Sequence, residues 1–524
     1  GNGTVVAQVD YVAPSHGDKV TLTIDYELQA ILEETLAKNV ATNYAEQQIM
    51  YQDNKEKYDA ELADRSKKEI SYCQSGACIV MEVNTGRVLA LVSVPTYDVN
   101  LFTGGISEED YKALSEDPTK PLFNNAISSV STPGSIFKMC TAVAGLMEEE
   151  ISLSTVIDDE GPYTKHLAEG ANISDAPKCH TRYPWKHAGG QTVVEALRDS
   201  CNYFFYEVAY RLGNDKLNEW ADNFGLTSKT NIELTGESTG RVANQKVLYD
   251  NEKPINNQMT YKPQLVYSKL KNVLKGFGEE RNVVYTDEQL EAAADRIIYL
   301  AGEGNQIIGA EIRQILREEL DIPENVSRTR GWAQEVLNWI RELMWTDNDT
   351  VVAGIGVEPT QLTPIAVARY MCALVNGGKV YDAHIVAKIT DSKGNIVKEF
   401  EPTLVRDLDL PSRYTEAIKK GMEQVVSDED GGTAGEAFKD FKYRDIIFGK
   451  TGTAPVSDIE LEDNVWLCLA APREDPEIVV VCFLPNGYSK SNAYPTAKKA
   501  IEYYFDAKEA QTSPDTPADD VLAE

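Results

Sequence analysis

Three short motifs, far apart in the chain, most constrain its fold because they make chemical sense only when they lie side by side. Ser135-Ile136-Phe137-Lys138 comes first, Ser200-Cys201-Asn202 follows, and Lys450-Thr451-Gly452-Thr453 comes late. Together they indicate a serine nucleophile, its partners in proton transfer and a strand that binds a carboxylate. The set predicts acyl transfer through a covalent serine ester.

The first motif is distinguished by its surroundings. The Ser-x-x-Lys pattern recurs at Ser268 to Lys271, so alone it carries little information. Ser135, however, follows Pro133-Gly134 and begins a run that is apolar nearly all round, which is typical of a buried helix. Lys138 shares a helix face with Ser135. Burial favours the neutral amine of a lysine, so we predict Ser135 as nucleophile and Lys138 as general base.

The second motif is the only Ser-x-Asn in the chain and precedes the apolar run Tyr203 to Tyr206. One interpretation is a simple helix cap. The functional interpretation makes Ser200 a relay that passes a proton towards the leaving amine, while Asn202 holds a substrate amide.

The third motif is the only Lys-Thr-Gly, and it follows the strand-like run Asp445 to Phe448. Gly452 lets a ligand backbone lie close against such a strand. The N–H of Thr453 would join that of Ser135 as an oxyanion donor, and Lys450 with the hydroxyls of Thr451 and Thr453 would bind a terminal carboxylate. The alternative is an ordinary edge strand.

The sequence predicts one antiparallel sheet, closed by the two ends of the chain and flanked by helices. Its five predicted strands are Ala77 to Val83, Val88 to Val94, the Lys450 strand, Val465 to Ala470 and Ile478 to Leu484. An earlier strand, Lys19 to Ile24, leads into a helix that Asp25 caps. A last helix is predicted near Ala497 to Phe505.

Residues 18–506 are predicted to form the main domain. Residues 243–347 look like an inserted helical subdomain, with helices predicted at Asp287 to Ala301, Gln306 to Leu320 and Gly331 to Met344. Residues 1–17 look like the remnant of a linker. Residues 507–524 are acidic and lack periodicity, which predicts a disordered tail.

The net charge of −32 argues against nucleic acid as a partner, because its phosphates would be repelled. No stretch has the roughly 18 apolar residues that span a bilayer. The chain opens at Gly1 without a Met, which suggests that it starts inside a longer protein and leaves an N-terminal anchor open.

Four Cys and His residues around the second motif raise the question of a metal. Cys179, His180 and Cys201 are the predicted ligands, with His187 nearby, and such side chains bind zinc well. Their spacing matches no standard zinc motif, and the thiols could instead be buried as small apolar groups. A zinc ion here would be structural, because the serine mechanism requires no cofactor.

The motif set resembles that of penicillin-binding proteins, and the surrounding sequence resembles the transpeptidase domain of their class B. The supporting segments are Val20 to Asp25 with Leu28-Gln29, Asn84-Thr85-Gly86, Pro133 to Lys138, Glu233 to Glu237, Thr363-Pro364, Asn376-Gly377-Gly378, Gly432-Thr433-Ala434 and Trp466. This resemblance implies the α/β serine transpeptidase fold, in which helices flank a five-stranded antiparallel sheet.

The resemblance also implies the reaction. Ser135 would attack the penultimate D-Ala carbonyl of a peptidoglycan stem peptide that ends in D-Ala-D-Ala, and an amine of a neighbouring stem peptide would resolve the ester. β-Lactams would acylate Ser135. A glycan polymerase of the SEDS type is the expected partner of the full-length protein. The expected location is the outer face of the cell membrane of a Gram-positive-type bacterium, behind a single-pass N-terminal anchor.

Three alternatives stay open at this point. A D,D-carboxypeptidase would differ only in using water as the acceptor. A β-lactam sensor or β-lactamase would share the acylation, and a lactamase would need a deacylating glutamate, for which Glu233 and Glu237 are the candidates. A non-catalytic scaffold would require a distorted site, although every catalytic residue is present.

Overall fold

The computed structural model describes residues 17–63, 65, 69–167, 172–180, 187, 189–303 and 309–512. The strands are β1 Lys19–Leu22, β2 Gly76–Glu82, β3 Val88–Val94, β4 Ile157–Asp158, β5 Gly190–Gln191, β6 Lys379–Tyr381, β7 Val386–Thr390, β8 Ile396–Glu399, β9 Leu404–Asp407, β10 Phe448–Ala454, β11 Asn464–Ala471 and β12 Ile478–Leu484.

The helices are α1 Tyr26–Asp53, α2 Lys55–Ala63, α3 Glu108–Glu116, α4 Asn125–Ser128, α5 Lys138–Met147, α6 Val193–Arg198, α7 Asn202–Asn223, α8 Gln245–Leu248, α9 Lys262–Arg281, α10 Asp287–Tyr299, α11 Gly309–Leu320, α12 Glu324–Arg330, α13 Trp332–Ile340, α14 Asp347–Ala353, α15 Pro364–Val375, α16 Ser412–Val426, α17 Gly435–Phe438 and α18 Tyr494–Thr512.

The predicted five-stranded antiparallel sheet is confirmed, with strand order β10-β11-β12-β2-β3. Its central strand β12 is apolar at every position and fully buried, because both faces of the sheet are covered. Val479, Val481 and Phe483 face one apolar cluster, which includes α5, α7 and α15. Ile478 and Val480 face the other, which includes α1 and α18.

The first predicted strand lies outside this sheet. β1 pairs with β7 in a separate three-stranded sheet, ordered β1-β7-β8. The predicted cap of α1 is confirmed, since Asp25 accepts a hydrogen bond from the Leu28 N–H at 3.0 Å.

Helices α9 to α13 build an apolar cluster of their own, which runs from Tyr249 to Met344. Three of them correspond to predicted helices, namely α10, α11 and α13. The 20-residue helix α9 was not predicted, although it buries Val266, Leu270 and Leu274 along one face. The sequence Lys262 to Arg281 is polar enough overall to obscure that stripe.

The last helix is longer than predicted at both ends. α18 continues to Thr512, so residues 507–512 of the predicted tail are helical, and residues 513–524 lie outside the described residues. Of the predicted linker remnant, only residue 17 is described. Within the described part of the chain, no helix combines the length and apolar character needed to cross a bilayer.

Candidate active site

Ser135 lies in a turn of 3₁₀ helix, Gly134–Phe137, that leads directly into α5. The turn packs against β10 with very little space between the two. Gly134 has φ +56°, and a Cβ there would lie 2.9 Å from the Thr453 carbonyl oxygen. A side chain at this position would therefore meet both backbone strain and a steric clash.

The same contact depends on a second glycine, in the third motif. A Cβ on Gly452 would lie 2.8 Å from the Pro133 carbonyl oxygen. The Lys-Thr-Gly strand therefore touches the turn of the nucleophile through backbone atoms. This explains the glycine without invoking the ligand contact that the sequence suggested.

Strand β11 fixes the segment before the nucleophile. The Trp466 indole N–H donates to the Thr132 carbonyl at 2.9 Å, and the Asn464 side-chain amide donates to the Ser131 hydroxyl at 2.6 Å. All four residues are buried. Asn464 was missed in the sequence because an Asn at the start of a strand carries no motif, whereas Trp466 belongs to the segments that resemble the family.

Lys138 is completely buried and donates to the second motif. Its Nζ lies 2.6 Å from the Ser200 carbonyl oxygen, 3.2 Å from Ser200 Oγ and 2.6 Å from Asn202 Oδ1. Burial lowers the pKa of Lys138 to about 8. Among the described residues, no partner hydrogen bonds to Ser135 Oγ. The hydrogen bond expected between nucleophile and base is therefore not formed here.

Ser200 lies between the two lysines of the first and third motifs. Lys450 is also completely buried, and its Nζ lies 3.0 Å from Ser200 Oγ. Burial, and then repulsion from Lys138, hold the pKa of Lys450 well below its usual value. Ser200 has φ +53°, which is unusual for a non-glycine residue and costs on the order of 1–3 kcal/mol. The helix cap that we considered for the second motif is present at Cys201, whose Sγ accepts from the Phe204 N–H at the start of α7.

The remaining residues of the motifs lie along the same strand and helix end. Thr451 is buried and its Oγ1 is 3.2 Å from that of Thr433, whereas Thr453 is exposed. Asn202 uses its side-chain oxygen for Lys138 and donates its backbone N–H to Cys179 Sγ at 3.2 Å. The Asn202 side chain, which we assigned to a substrate amide, thus has its oxygen occupied by Lys138 in this structure.

A group of four candidate metal ligands adjoins the second motif. One ligand atom from each of Asp159, Cys179, His187 and Cys201 lies within 4.8 Å of all the others. Cys179 and Cys201 were predicted. The structure places His187 in this group rather than the predicted His180, which is exposed, although His180 Nδ1 is 3.6 Å from Cys179 Sγ. Asp159 comes from a distant segment and was not predicted.

The transpeptidase domain of penicillin-binding proteins matches residues 76–273 and 325–502. The chain belongs to this family. It is 30% identical over 452 residues to the peptidoglycan D,D-transpeptidase MrdA of Haemophilus influenzae, an alignment that covers 83% of this chain and 53% of the relative. The chain therefore spans about half the length of that relative.

Solved structures of penicillin-binding proteins share the fold. Penicillin-binding protein A of M. tuberculosis, as its imipenem acyl-enzyme complex, has a TM-score of 0.60 at 18% identity, with 93% of this chain and 80% of that chain covered. A chain of a peptidoglycan synthase complex that coordinates polymerization and crosslinking has a TM-score of 0.59 at 24% identity, with 94% and 63% covered. At these identities the likeness establishes the fold alone.

We predict that Gly452→Ala slows acylation by a penicillin about tenfold or more. The added Cβ would push β10 away from the turn Gly134–Phe137, called the nucleophile turn below. Overpacking of this kind costs about 1–3 kcal/mol. Rates from intact-mass time courses would test this, with Gly276→Ala as the matched control, because its Cβ meets nothing within 4 Å. Equal rates in the two variants would contradict the prediction.

We predict that acylation accelerates as pH rises towards 8. The base must be neutral to accept a proton, and the pKa of Lys138 is lowered to about 8, so the charged, inactive form dominates below that pH. The rate constant should rise about tenfold per pH unit below 8 and then level off. Melting curves at each pH would confirm that the protein stays folded. A rate independent of pH over this range would contradict Lys138 as the base.

Proposed function

We propose that the chain catalyses D,D-transpeptidation of peptidoglycan stem peptides through an acyl-Ser135 intermediate. The observation that carries the proposal is the convergence of all three motifs on one hydroxyl. Ser200 Oγ lies within hydrogen-bonding distance of both Lys138 and Lys450, and the turn that bears Ser135 packs on the Lys450 strand. Membership of the transpeptidase domain family supports the same reaction.

In the proposed acylation, Ser135 Oγ attacks the penultimate D-Ala carbonyl and neutral Lys138 takes the hydroxyl proton. Two lysines that share Ser200 favour one neutral amine, because two buried ammonium groups would repel each other. The proton then passes through Ser200 to the departing D-Ala nitrogen. Lys450 holds the Ser200 hydroxyl in place for that transfer.

Substrate binding is assigned to the strand of the third motif. The backbone N–H groups of Ser135 and Thr453 would stabilise the tetrahedral oxyanion. Thr451 and Thr453, on the strand that carries Lys450, would bind the terminal carboxylate of the donor peptide through their hydroxyl groups. Thr453 is exposed and therefore accessible to that carboxylate. Asn202 would contribute its amide nitrogen, since its oxygen binds Lys138.

The β-lactamase alternative is not supported by the two glutamates that the sequence offered as a deacylating base. Glu237 accepts hydrogen bonds from the backbone and side chain of Thr230, and Glu233 accepts one from the Ile385 N–H at 2.9 Å. Both carboxylates thus support local structure. A D,D-carboxypeptidase remains the second candidate, because it needs the same residues and only exchanges the acceptor amine for water.

We predict a stable penicillin adduct on Ser135. Intact-mass spectrometry after incubation with benzylpenicillin should show one adduct per chain, which Ser135→Ala abolishes. Ser268→Ala is the matched control, because it removes the other Ser-x-x-Lys serine, which is exposed on α9, and should keep the adduct. An adduct that decays over the time course, or penicillin hydrolysis without a lasting adduct, would favour a β-lactamase, whereas no adduct and no hydrolysis would favour the scaffold.

The expected partners and location follow from this activity. β-Lactams are proposed ligands, as for the M. tuberculosis protein solved as an acyl-enzyme. A glycan polymerase of the SEDS type is the proposed partner, in keeping with the fold shared with a chain of a peptidoglycan synthase complex. We place the protein at the outer face of the membrane of a Gram-positive-type bacterium, behind an N-terminal anchor.

The division into a domain at 18–506 with an insertion at 243–347 is likewise proposed, supported by the separate apolar cluster.

We also propose that Asp159, Cys179, His187 and Cys201 hold a structural zinc ion. Two sulfur atoms, one nitrogen and one oxygen form a donor set that zinc accepts in tetrahedral geometry, and their mutual distances are compatible with a single ion. The residues would tie the segment around Cys179 to the start of α7. Because Asn202 also donates to Cys179 Sγ, the ion would support the second motif without taking part in acyl transfer.

We predict about one zinc per chain in protein purified without chelator, and a loss of most of it in Cys179→Ser. Elemental analysis by plasma mass spectrometry provides the measurement. Cys372→Ser is the matched control, since Cys372 is buried on α15, outside the ligand group, and its substitution should leave the zinc content unchanged. A zinc content near zero in the wild-type chain would exclude the site.

A further inference from the structure

A groove unrelated to the three motifs lies between α1, α2 and the turn that follows β12. It consists of two adjoining cavities of about 590 Å³ and 320 Å³, which share Tyr72, Gln74 and Asn486 as walls. Tyr51 and Ile70 extend the first cavity, which is the larger one. Cavities of this size hold ligands of drug-like dimensions or larger.

The floor of the groove is connected by hydrogen bonds to the segment that precedes Ser135. The buried amide of Gln47 donates to the Asn486 carbonyl at 2.7 Å and accepts from the Cys73 N–H at 2.8 Å. The Asn486 N–H donates to Asn464 Oδ1 at 3.1 Å, and Asn464 holds Ser131. A continuous chain of hydrogen bonds therefore runs from the groove to the segment that precedes Ser135.

The groove offers polar groups without partners on an aromatic wall. Among the described residues, nothing hydrogen bonds to the Tyr72 hydroxyl or to the side-chain amides of Gln74 and Asn486. Phe123 and Tyr51 add aromatic surface. The apolar faces of the aromatic rings suit the C–H face of a sugar ring. The free side-chain amides suit an N-acetyl group, which both donates and accepts hydrogen bonds.

The charge of the groove favours a neutral ligand. In a chain of net charge −32, the described lining residues carry one acidic group, Glu69, and one basic group, Lys120. A basic protein segment would gain little here, and an anionic polymer would be repelled by the rest of the surface. The glycan of peptidoglycan is neutral where its muramic carboxyl is joined to the stem peptide.

The distance to the nucleophile also fits. Ser129 lines the groove, and the six residues from it to Ser135 span at most about 21 Å. A stem peptide of about four residues between the sugar and the attacked carbonyl spans roughly 14 Å when extended. The upper limit on this separation is thus of the same order as the length of a sugar together with its stem peptide.

We propose that this groove binds the N-acetylated glycan strand that carries the stem peptide. The inference rests on the proposed transpeptidase function and adds a binding site for the sugar part of the substrate. Binding of the sugar in the groove would make the enzyme prefer stem peptides attached to glycan strands over free peptides.

The test compares two substrates in the full chain. D-Alanine release is measured from uncross-linked peptidoglycan strands with D-Ala-D-Ala stems and from a short diacylated D-Ala-D-Ala peptide. In Tyr72→Ala and Gln74→Ala, the ratio of kcat/KM for strands to that for the peptide should fall about fivefold to tenfold, mainly through KM for strands. The exposed Tyr26 on α1 supplies the matched control, Tyr26→Ala, which should keep the wild-type ratio.

A second measurement uses chitohexaose, an N-acetylglucosamine oligomer, as competitor. It should raise the apparent KM for strands in the wild-type chain and lose that effect in Gln74→Ala. Because Gln74 is exposed, this variant should fold like the wild-type chain. The groove proposal is overturned if the ratio is unchanged in both variants. An equal fall in kcat/KM on both substrates counts as an unchanged ratio. Penicillin acylation of Ser135 separates the groove proposal from the proposed transpeptidase function. If the variants are acylated but keep the wild-type ratio, the groove proposal is wrong and the transpeptidase function still stands.

Discussion

The contact between the nucleophile turn and β10 is the constraint on which the site depends. Gly134 and Gly452 let two backbone segments approach until no Cβ fits between them. Trp466 and Asn464, on the neighbouring strand, hold the other side of the turn through buried hydrogen bonds. Because β10 and β11 pair in register, any shift of the edge strand would move both sets of contacts together.

The buried lysines are possible only because of that packing. Lys138 and Lys450 are shielded from water on all sides, and burying two cations near each other is costly unless at least one is neutral. The fold offsets this cost with hydrogen bonds from both amines to Ser200. The arrangement suits proton transfer, since both amines already lie within hydrogen-bonding distance of one hydroxyl. Among the described residues, the Ser135 hydroxyl has no hydrogen-bond partner, and catalytic hydrogen bonds often form only when substrate is bound.

Sequence predicted the repetitive parts well and the irregular parts poorly. The five strands were found because alternating or continuous apolar runs bounded by turns indicate strands reliably, as for Ile478–Leu484, whose bounds agree at both ends. The motif residues converge as expected because their chemistry requires proximity. The candidate metal ligands show where prediction from sequence fails. His180 and His187 both lie in irregular segments, where spacing does not determine the direction of a side chain. Asn464 and Asp159 had no local signal, because their partners are distant in sequence.

The topology explains how the chain tolerates a large middle segment. β2 and β3 come from the first part of the sequence and β10 to β12 from the last, so the sheet is complete without residues 262–344. Helices α9 to α13 bury their own apolar stripe, and the family match omits residues 274–324. Gln245 binds both the Leu343 carbonyl and the Trp345 N–H, so the segment leaves and rejoins the domain at nearly the same point. A segment closed by such a short base adds little strain to the sheet, and the spacing between the second and third motifs can grow without moving Lys450 away from Ser200.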